Sequence, residues 1–345
     1  MDQNTDLRLL NILAGAPVGG AETFFVTMTK AFQAAGVEQR AVIRENPDRA
    51  AQLRAGNVEV DQARFGSLLD VRTEFKLDKI VREFQPTVVL TYMERASSFM
   101  PKGPHLKLAR LGGYYKLKYF RRCDHLLCIT NDIRRHVIAE GWPEERAHYM
   151  PNFAEVTDTA AIARAELDTP DGVPVIFTPG RLHKVKGLDT LITSIKALPE
   201  AYLWIAGDGP ERDALIAHAT AEGVSDRVRF LGWRTDTGPF FRACDIVAFP
   251  SRHEPFGTVT LEAWAYGKPL VVTDAQGPLE VVRPDQDGIM VPKDDADALA
   301  SGFRRVLSDP ELARSLVEQG SARHLAEFTE AACVARYLDL FRTLS

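Results

Sequence analysis

The chain has 345 residues, 45% hydrophobic, 26% charged and 9% aromatic, a length that suits two domains of about 150 residues each with its own core. Its 24 Gly and 20 Pro are ordinary usage and exclude collagen-like or low-complexity character, and no apolar run approaches the ~18 residues of a membrane span. The net charge of −5 and pI near 6.0 speak against a nucleic-acid binder.

Met1 to Asp6 is polar and acidic, not a signal peptide, so the expectation is a soluble cytoplasmic protein. Leu7–Ala14 reads as a buried strand and Ala21–Ala35 as a helix. Between them lies Gly15-Ala16-Pro17-Val18-Gly19-Gly20. Glycines at such a turn let bare amides approach a phosphate or a sugar, or they answer only the steric need of the turn. G-x-G-x-x-G is absent, and the next strand, Gln39–Arg44, ends without the acid that holds a ribose, which disfavours a dehydrogenase. Further strands are expected at Thr87–Tyr92, His125–Thr130 and His148–Met150, with helices at Val71–Phe84 and Ile133–Glu140.

Charge is uneven. Residues 1–165 hold 23 Lys and Arg against 20 Asp and Glu, and the remainder 19 against 27. Lys102 to His136 carries nine Lys or Arg and two acids, interleaved with Tyr114, Tyr115, Tyr119 and Phe120. It reads either as a solvated helix face or as a docking surface for an anionic partner, an inner-membrane surface or a phosphorylated lipid. Cys123, Cys128, Cys244 and Cys333 form no C-x-x-C pair and read as reduced core thiols.

Ala154–Pro174 reads as an interdomain connection. A second strand-helix run follows, with strands at Val173–Thr178, Tyr202–Ala206, Val228–Leu231, Asp245–Phe249, Leu270–Thr273 and Gly288–Val291. The last stretch is helical, with Leu299, Phe303, Val306 and Leu307 in helical register. The expectation is α/β: two Rossmann-like domains whose strand-end loops face a cleft. The N-terminal domain spans 1–160 and the C-terminal one 161–325, with 326–345 a helix packing back on the N-terminal domain.

Three loops in the second half concentrate polar chemistry. Gly180-Arg181-Leu182-His183-Lys184-Val185-Lys186-Gly187 puts three cations in six residues at a strand's carboxyl end, where a leaving diphosphate needs them. Gly207-Asp208-Gly209-Pro210 follows another strand and is read as a turn with a ligand role in reserve. After Pro250-Ser251 come Glu254, Phe256, Gly257, Thr258 and Glu262. The acids are eight residues apart, about two helical turns, so both are expected to face one ligand. Helix-start amides at Gly257 and Thr258 suit phosphate oxygens.

Residues 172–308 resemble the C-terminal domain of the GT-B retaining glycosyltransferases of family four. The likeness rests on Gly180-Arg181 with Lys186-Gly187, Gly207 to Pro210, Pro250-Ser251, Glu254 with Glu262, Gly267-Lys268-Pro269 and Asp287-Gly288. Gly19-Gly20-Ala21-Glu22 is similar to that family's glycine loop. The resemblance implies a GT-B fold and a hexosyltransferase of the lipopolysaccharide or envelope-glycan type. Its implied donor is a UDP- or GDP-sugar and its implied acceptor a glycan or lipid-linked molecule, with no cofactor, no metal and no nucleic acid. It further implies a catalytic set of Arg181, Lys186 and Glu254. The implied donor-binding set is Glu262, Phe256, Gly257, Thr258, Gly19, Gly20, Gly209 and Arg234.

Two departures stand out. Where the family carries a histidine, this chain reads Ala109-Arg110-Leu111-Gly112-Gly113-Tyr114-Tyr115. Pro278 removes one amide from the loop Gln276–Glu280. Asp285-Gln286-Asp287 is formally a D-x-D, but lies in a Pro/Gly turn where Asp serves local hydrogen bonds. The competing readings are a soluble-acceptor glycosyltransferase or sugar-phosphate synthase, and a non-catalytic nucleotide-sugar-binding protein.

Overall fold

The computed structural model describes residues 7–17, 19–66 and 70–344. The chain divides into two compact units. Unit 1 holds the chain up to Asn152 together with Glu330 onward, and unit 2 is Phe153–Thr329.

Unit 1 runs β1 (Arg8–Leu13), α1 (Gly20–Ala34), β2 (Glu38–Arg44), α2 (Pro47–Ala55), β3 (Glu59–Ala63), α3 (Val71–Phe84), β4 (Val88–Tyr92), α4 (Met93–Ser98), β5 (Leu106–Leu111), β6 (His125–Cys128), α5 (Asn131–Ala139) and β7 (Ala147–Tyr149). Its sheet has the order β3-β2-β1-β4-β5-β6-β7. All the pairs are parallel, β1 meeting β2 from Arg8↔Glu38 and β4 from Leu9↔Val88. A parallel strand covered on both faces must be apolar throughout, and Leu9 to Leu13 are all buried. The one polar residue among them, Asn11, donates to Gln39 on β2 at 2.9 Å. Side-chain caps start the helices: Asn46 accepts from Arg49 N, Asp70 from Thr73 N and Thr130 from Ile133 N.

Lys102–His136 is not one helix face. It holds β5, a 3-10 turn (Leu117–Phe120), β6 and the start of α5. The strand β5 escapes a charge-based reading because Lys107 and Arg110 interrupt it. Arg110 is buried, and Lys107, Arg122, Arg134 and Arg135 pair with Asp124, Glu74, Glu144 and Asp132. Among the described residues, Lys102, Lys116, Lys118 and Arg121 stay exposed and outside any ion pair.

Unit 2 runs β8 (Val175–Pro179), α6 (Leu188–Ser194), β9 (Tyr202–Ala206), α7 (Arg212–Ala221), β10 (Val228–Gly232), α8 (Gly238–Ala243), β11 (Ile246–Phe249), α9 (Thr258–Ala265), β12 (Leu270–Thr273), α10 (Gln276–Val281), β13 (Ile289–Val291), α11 (Ala296–Ser308) and α12 (Pro310–Glu327). Its parallel sheet is ordered β10-β9-β8-β11-β12-β13. One face is aliphatic: Leu191 and Ile192 of α6, Leu215 of α7 and Leu299 and Phe303 of α11 pack with Ile176, Leu203 and Ile289. Elsewhere in the unit the packing is aromatic, Phe177 lying 5.8 Å from Phe240 and 5.1 Å from Phe241. Residues 153–160, read with the first domain, belong to unit 2. Ala154 N donates to Phe328 O at 3.2 Å, and Ala154 O lies 2.8 Å from His324 Nε2.

The last helix, α13 (Glu330–Leu344), returns to unit 1. Tyr337 and Phe341 flank Phe32 of α1 at ring distances of 5.6 and 6.1 Å. Arg110 Nε donates to the Tyr337 hydroxyl at 3.0 Å, with its guanidinium 3.9 Å over the Phe24 ring. This segment is therefore part of the unit 1 core, which is why it carries more apolar surface than a free tail. All four cysteines are free and buried. Burial pushes the thiols of Cys123, Cys128 and Cys244 up to about 12 and that of Cys333 to about 11.

Tyr337→Ala should cost unit 1 about 3–5 kcal/mol in urea unfolding, because it opens a cavity and leaves the buried Arg110 Nε donor without its acceptor. A loss below about 1 kcal/mol would show that α13 adds nothing to that core.

Candidate active site

In unit 2 the chain leaves β8 for β9 on one side and later lays β11 on the other. The strand order reverses there, and in open α/β sheets ligands bind outside the carboxyl ends at such a point. The loops meeting there are 180–187 and 250–257. They interlock through the backbone, Arg252 N and His253 N donating to Val185 O at 2.8 and 3.2 Å. Gly187 is required for this. Its φ is +64°, and a Cβ would lie 2.1 Å from the Pro250 carbonyl oxygen.

The loops bring opposite charges together. The Lys186 ammonium lies 2.5 Å from Glu254 Oε2, half-buried and 5.7 Å from the Phe249 ring centroid. Arg181, on the same loop, is exposed and has no partner among the described residues. Arg252 meets both Asp189 oxygens at 2.8 Å, and also Asp294, Thr190 and the Lys184 carbonyl. Its hydrogen bonds to Asp189 hold the guanidinium well above its usual range. Sequence reasoning passed over Arg252, whose acids lie far away in the chain.

Gly257 turns the chain with φ +93°, α9 begins at Thr258, and Glu254 stays on the loop while Glu262 lies within α9. Among the described residues no donor reaches the Glu262 carboxylate, and burial pushes it up to about 7. Thr258 opens α9, where the first amides lack helical partners. Phe256 is buried at 2% exposure, so its side chain is core and only its backbone is offered to a ligand. The Gly209 amide is taken by Asp208 Oδ1 at 2.8 Å. Arg234 is exposed beyond β10, 5.5 Å over the Phe240 ring. Asp287 is fully buried between Arg283 (2.7 Å) and Arg323 (3.1 Å), and Asp285 meets Arg305 at 2.9 Å, so the D-x-D is a framework of ion pairs.

Gly19 and Gly20 belong to unit 1, at its own reversal point between β1 and β4. Gly20 opens α1 into free space. Glu22, 7% exposed, folds back under the loop and accepts from Ala16 N at 2.7 Å, while Arg49 donates to the carbonyls of Ala16 and Pro17 at 2.7 and 3.0 Å. A carboxylate thus already occupies the turn where a phosphate was expected.

Residues 18–158 match the family model of Glycosyltransferase Family 4, and residues 160–323 that of Glycosyl transferases group 1. The chain is 39% identical over 327 residues to the lipopolysaccharide core biosynthesis glycosyltransferase LpsE of Rhizobium meliloti, covering 93% of this chain and 95% of that protein. LpsD of the same organism, of the same description, is 37% identical over 326 residues, covering 94% and 95%. Among solved structures, Anabaena HepE in complex with UDP and glucose superposes with a TM-score of 0.83 at 20% identity, covering 98% of this chain and 100% of that one. That likeness shows the fold, GT-B.

Glu262 holds its proton more tightly folded than unfolded, so its ionisation destabilises the fold as pH rises from about 4.5 through about 7. Glu262→Gln should therefore be more stable than the parent at pH 8 by about 1–3 kcal/mol, with the gap closing below pH ~4.5. Parallel stability curves for the two proteins across that range would refute the assignment.

Proposed function

The chain belongs to the family 4 glycosyltransferases, and from that premise we propose that it moves a hexosyl group from a nucleoside-diphosphate sugar to a hydroxyl of a lipopolysaccharide-core glycan. The transfer retains the anomeric configuration and uses no metal. The donors of this reading are UDP- and GDP-sugars, UDP first because HepE was solved with UDP. The acceptor class follows the names of LpsE and LpsD. One observation carries the reading: an unpaired Arg181, the Lys186–Glu254 pair and the donor-free Glu262 carboxylate lie on the strand-end loops and first helix of unit 2.

In this reading Arg181 and Lys186 neutralise the diphosphate, and the backbone at Gly257 and Thr258 donates to its oxygens. Glu254 accepts hydroxyl hydrogens of the donor sugar, and Glu262 accepts from the two ribose hydroxyls, which supply the donors it lacks in the protein. Phe256 and Gly209 shape the loops, and Arg234 lies beside the base. The bond from C1 to the leaving phosphate oxygen breaks while the acceptor oxygen bonds to C1 on the same face. The acceptor's proton passes to the leaving phosphate. Negative charge grows on the diphosphate, so preset cations lower the barrier without a carboxylate nucleophile. The engagement of Asp285 and Asp287 with arginines supports the metal-free reading.

No helix among the described residues is long and apolar enough to cross a membrane. The cations left free in the 102–136 segment, Lys102, Lys116, Lys118 and Arg121, support a peripheral position on the inner face of the membrane, in contact with anionic headgroups.

Arg181→Ala and Lys186→Ala should each lower turnover of a UDP-sugar by roughly 100-fold or more. Arg181→Ala should leave stability within about 0.5 kcal/mol, since that side chain is exposed and has no hydrogen-bond or ion-pair partner among the described residues. Near-normal turnover in both variants would remove the diphosphate assignment. Turnover should also persist in EDTA, and its complete loss, restored by Mn²⁺ or Mg²⁺, would overturn the metal-free reading.

A further inference from the structure

The strand order of unit 1 also reverses, between β1 and β4, and the loops meeting there carry the opposite charge to those of unit 2. Three segments converge at the carboxyl ends of adjacent strands: residues 14–17 with Gly19 after β1, Met93-Glu94 after β4 and Gly112–Tyr115 after β5. Glu22, more than nine-tenths buried, spends Oε1 on the Ala16 amide, and among the described residues no donor reaches Oε2. The Glu94 carboxylate is half-buried and likewise meets no donor. Tyr115 packs 6.2 Å from Phe120 and folds back over Gly113, whose Cβ would lie 3.9 Å from the phenol oxygen. Its hydroxyl has no hydrogen-bond partner among the described residues. Burial raises its pKa first, and the field of Glu94 second, which sets the two groups within electrostatic reach. Lys116, the residue after Tyr115, is exposed, and Arg49, within electrostatic reach of Glu22, is spent on the Ala16 and Pro17 carbonyls.

We propose that Glu94, Tyr115 and the free oxygen of Glu22 bind the accepting sugar through its hydroxyls, and that they select a neutral sugar over an acidic one. The proposal rests on the glycosyltransferase reading above and names the class of its acceptor. The Glu94 carboxylate and the second oxygen of Glu22, both lacking donors, fit a ligand that brings several O–H groups, and the phenol both donates and accepts. The Glu94 charge repels a sugar carboxylate, while the arginines beside the site are already engaged, Arg49 by the Ala16 and Pro17 carbonyls and Arg110 by Tyr337 and Asn152. The division of labour is electrostatic: cations and amides of unit 2 suit the donor's diphosphate, and acids of unit 1 suit the hydroxyls of the acceptor.

Ligand-observed NMR with methyl α-D-glucopyranoside and methyl α-D-glucopyranosiduronate, with and without saturating UDP, tests this directly. The parent protein should bind the neutral glycoside at least 10-fold more tightly than the uronide. Glu94→Gln should narrow that ratio several-fold by admitting the uronide. Tyr115→Phe should weaken the neutral glycoside by about 10-fold, with UDP affinity unchanged in both variants as the check on folding. Equal or tighter binding of the uronide, binding of neither glycoside, or variants that keep the parent's ratio and affinity would each overturn the proposal. If UDP does not bind at all, the donor reading falls, and the glycoside comparison made without UDP still decides this one.

Discussion

The ammonium of Lys186 against the carboxylate of Glu254 is the contact on which unit 2's chemistry depends, because it sets two loops from distant parts of the chain at one point. Each ion is half-buried, so each would carry a desolvation cost without the other. The pair stands on interlocked backbone: Val185 O accepts from Arg252 and His253, and Gly187 lets the two loops touch. Arg252 clamps the outer side through Asp189 and Asp294. Cations held this way need not reorganise when charge develops on a leaving group, which is the condition for electrostatic catalysis.

The two units share a sheet topology but differ in the charge that their reversal points present. In unit 1 a glutamate folds under the glycine turn, so the start of α1 is already met by a negative charge. In unit 2 the turn after β8 carries Arg181 and Lys186. One architecture thereby offers two chemically different sites, and the difference lies in loop side chains, not in the sheets.

Burial also separates residues that look alike in sequence. Arg110 and Lys116 both count toward the basic run, yet Arg110 is locked to Tyr337 and Phe24 whereas Lys116 is exposed and unpaired. Asp287 looks like half of a metal motif and serves as the buried anchor of Arg283 and Arg323. Charge counted along a chain overstates the charge that a surface presents.

The alternation of apolar runs with glycine-closed loops determined the two parallel-sheet units, since strands covered on both faces must be apolar along their length. The positions of Arg181, Lys186, Glu254 and Glu262 were legible for the same reason, as polar residues just beyond such strands. Sequence could not place β3 or β5, whose polar residues interrupt the apolar run, nor end the first unit at Asn152, because that boundary is drawn by hydrogen bonds from Ala154 to residues far along the chain. It read Glu254 on the loop and Glu262 on the helix that follows, and only the tertiary structure set Glu254 against Lys186. Which charges remain free was likewise decided in three dimensions, because partners for Arg110, Arg252 and Asp287 come from segments that spacing along the chain does not connect.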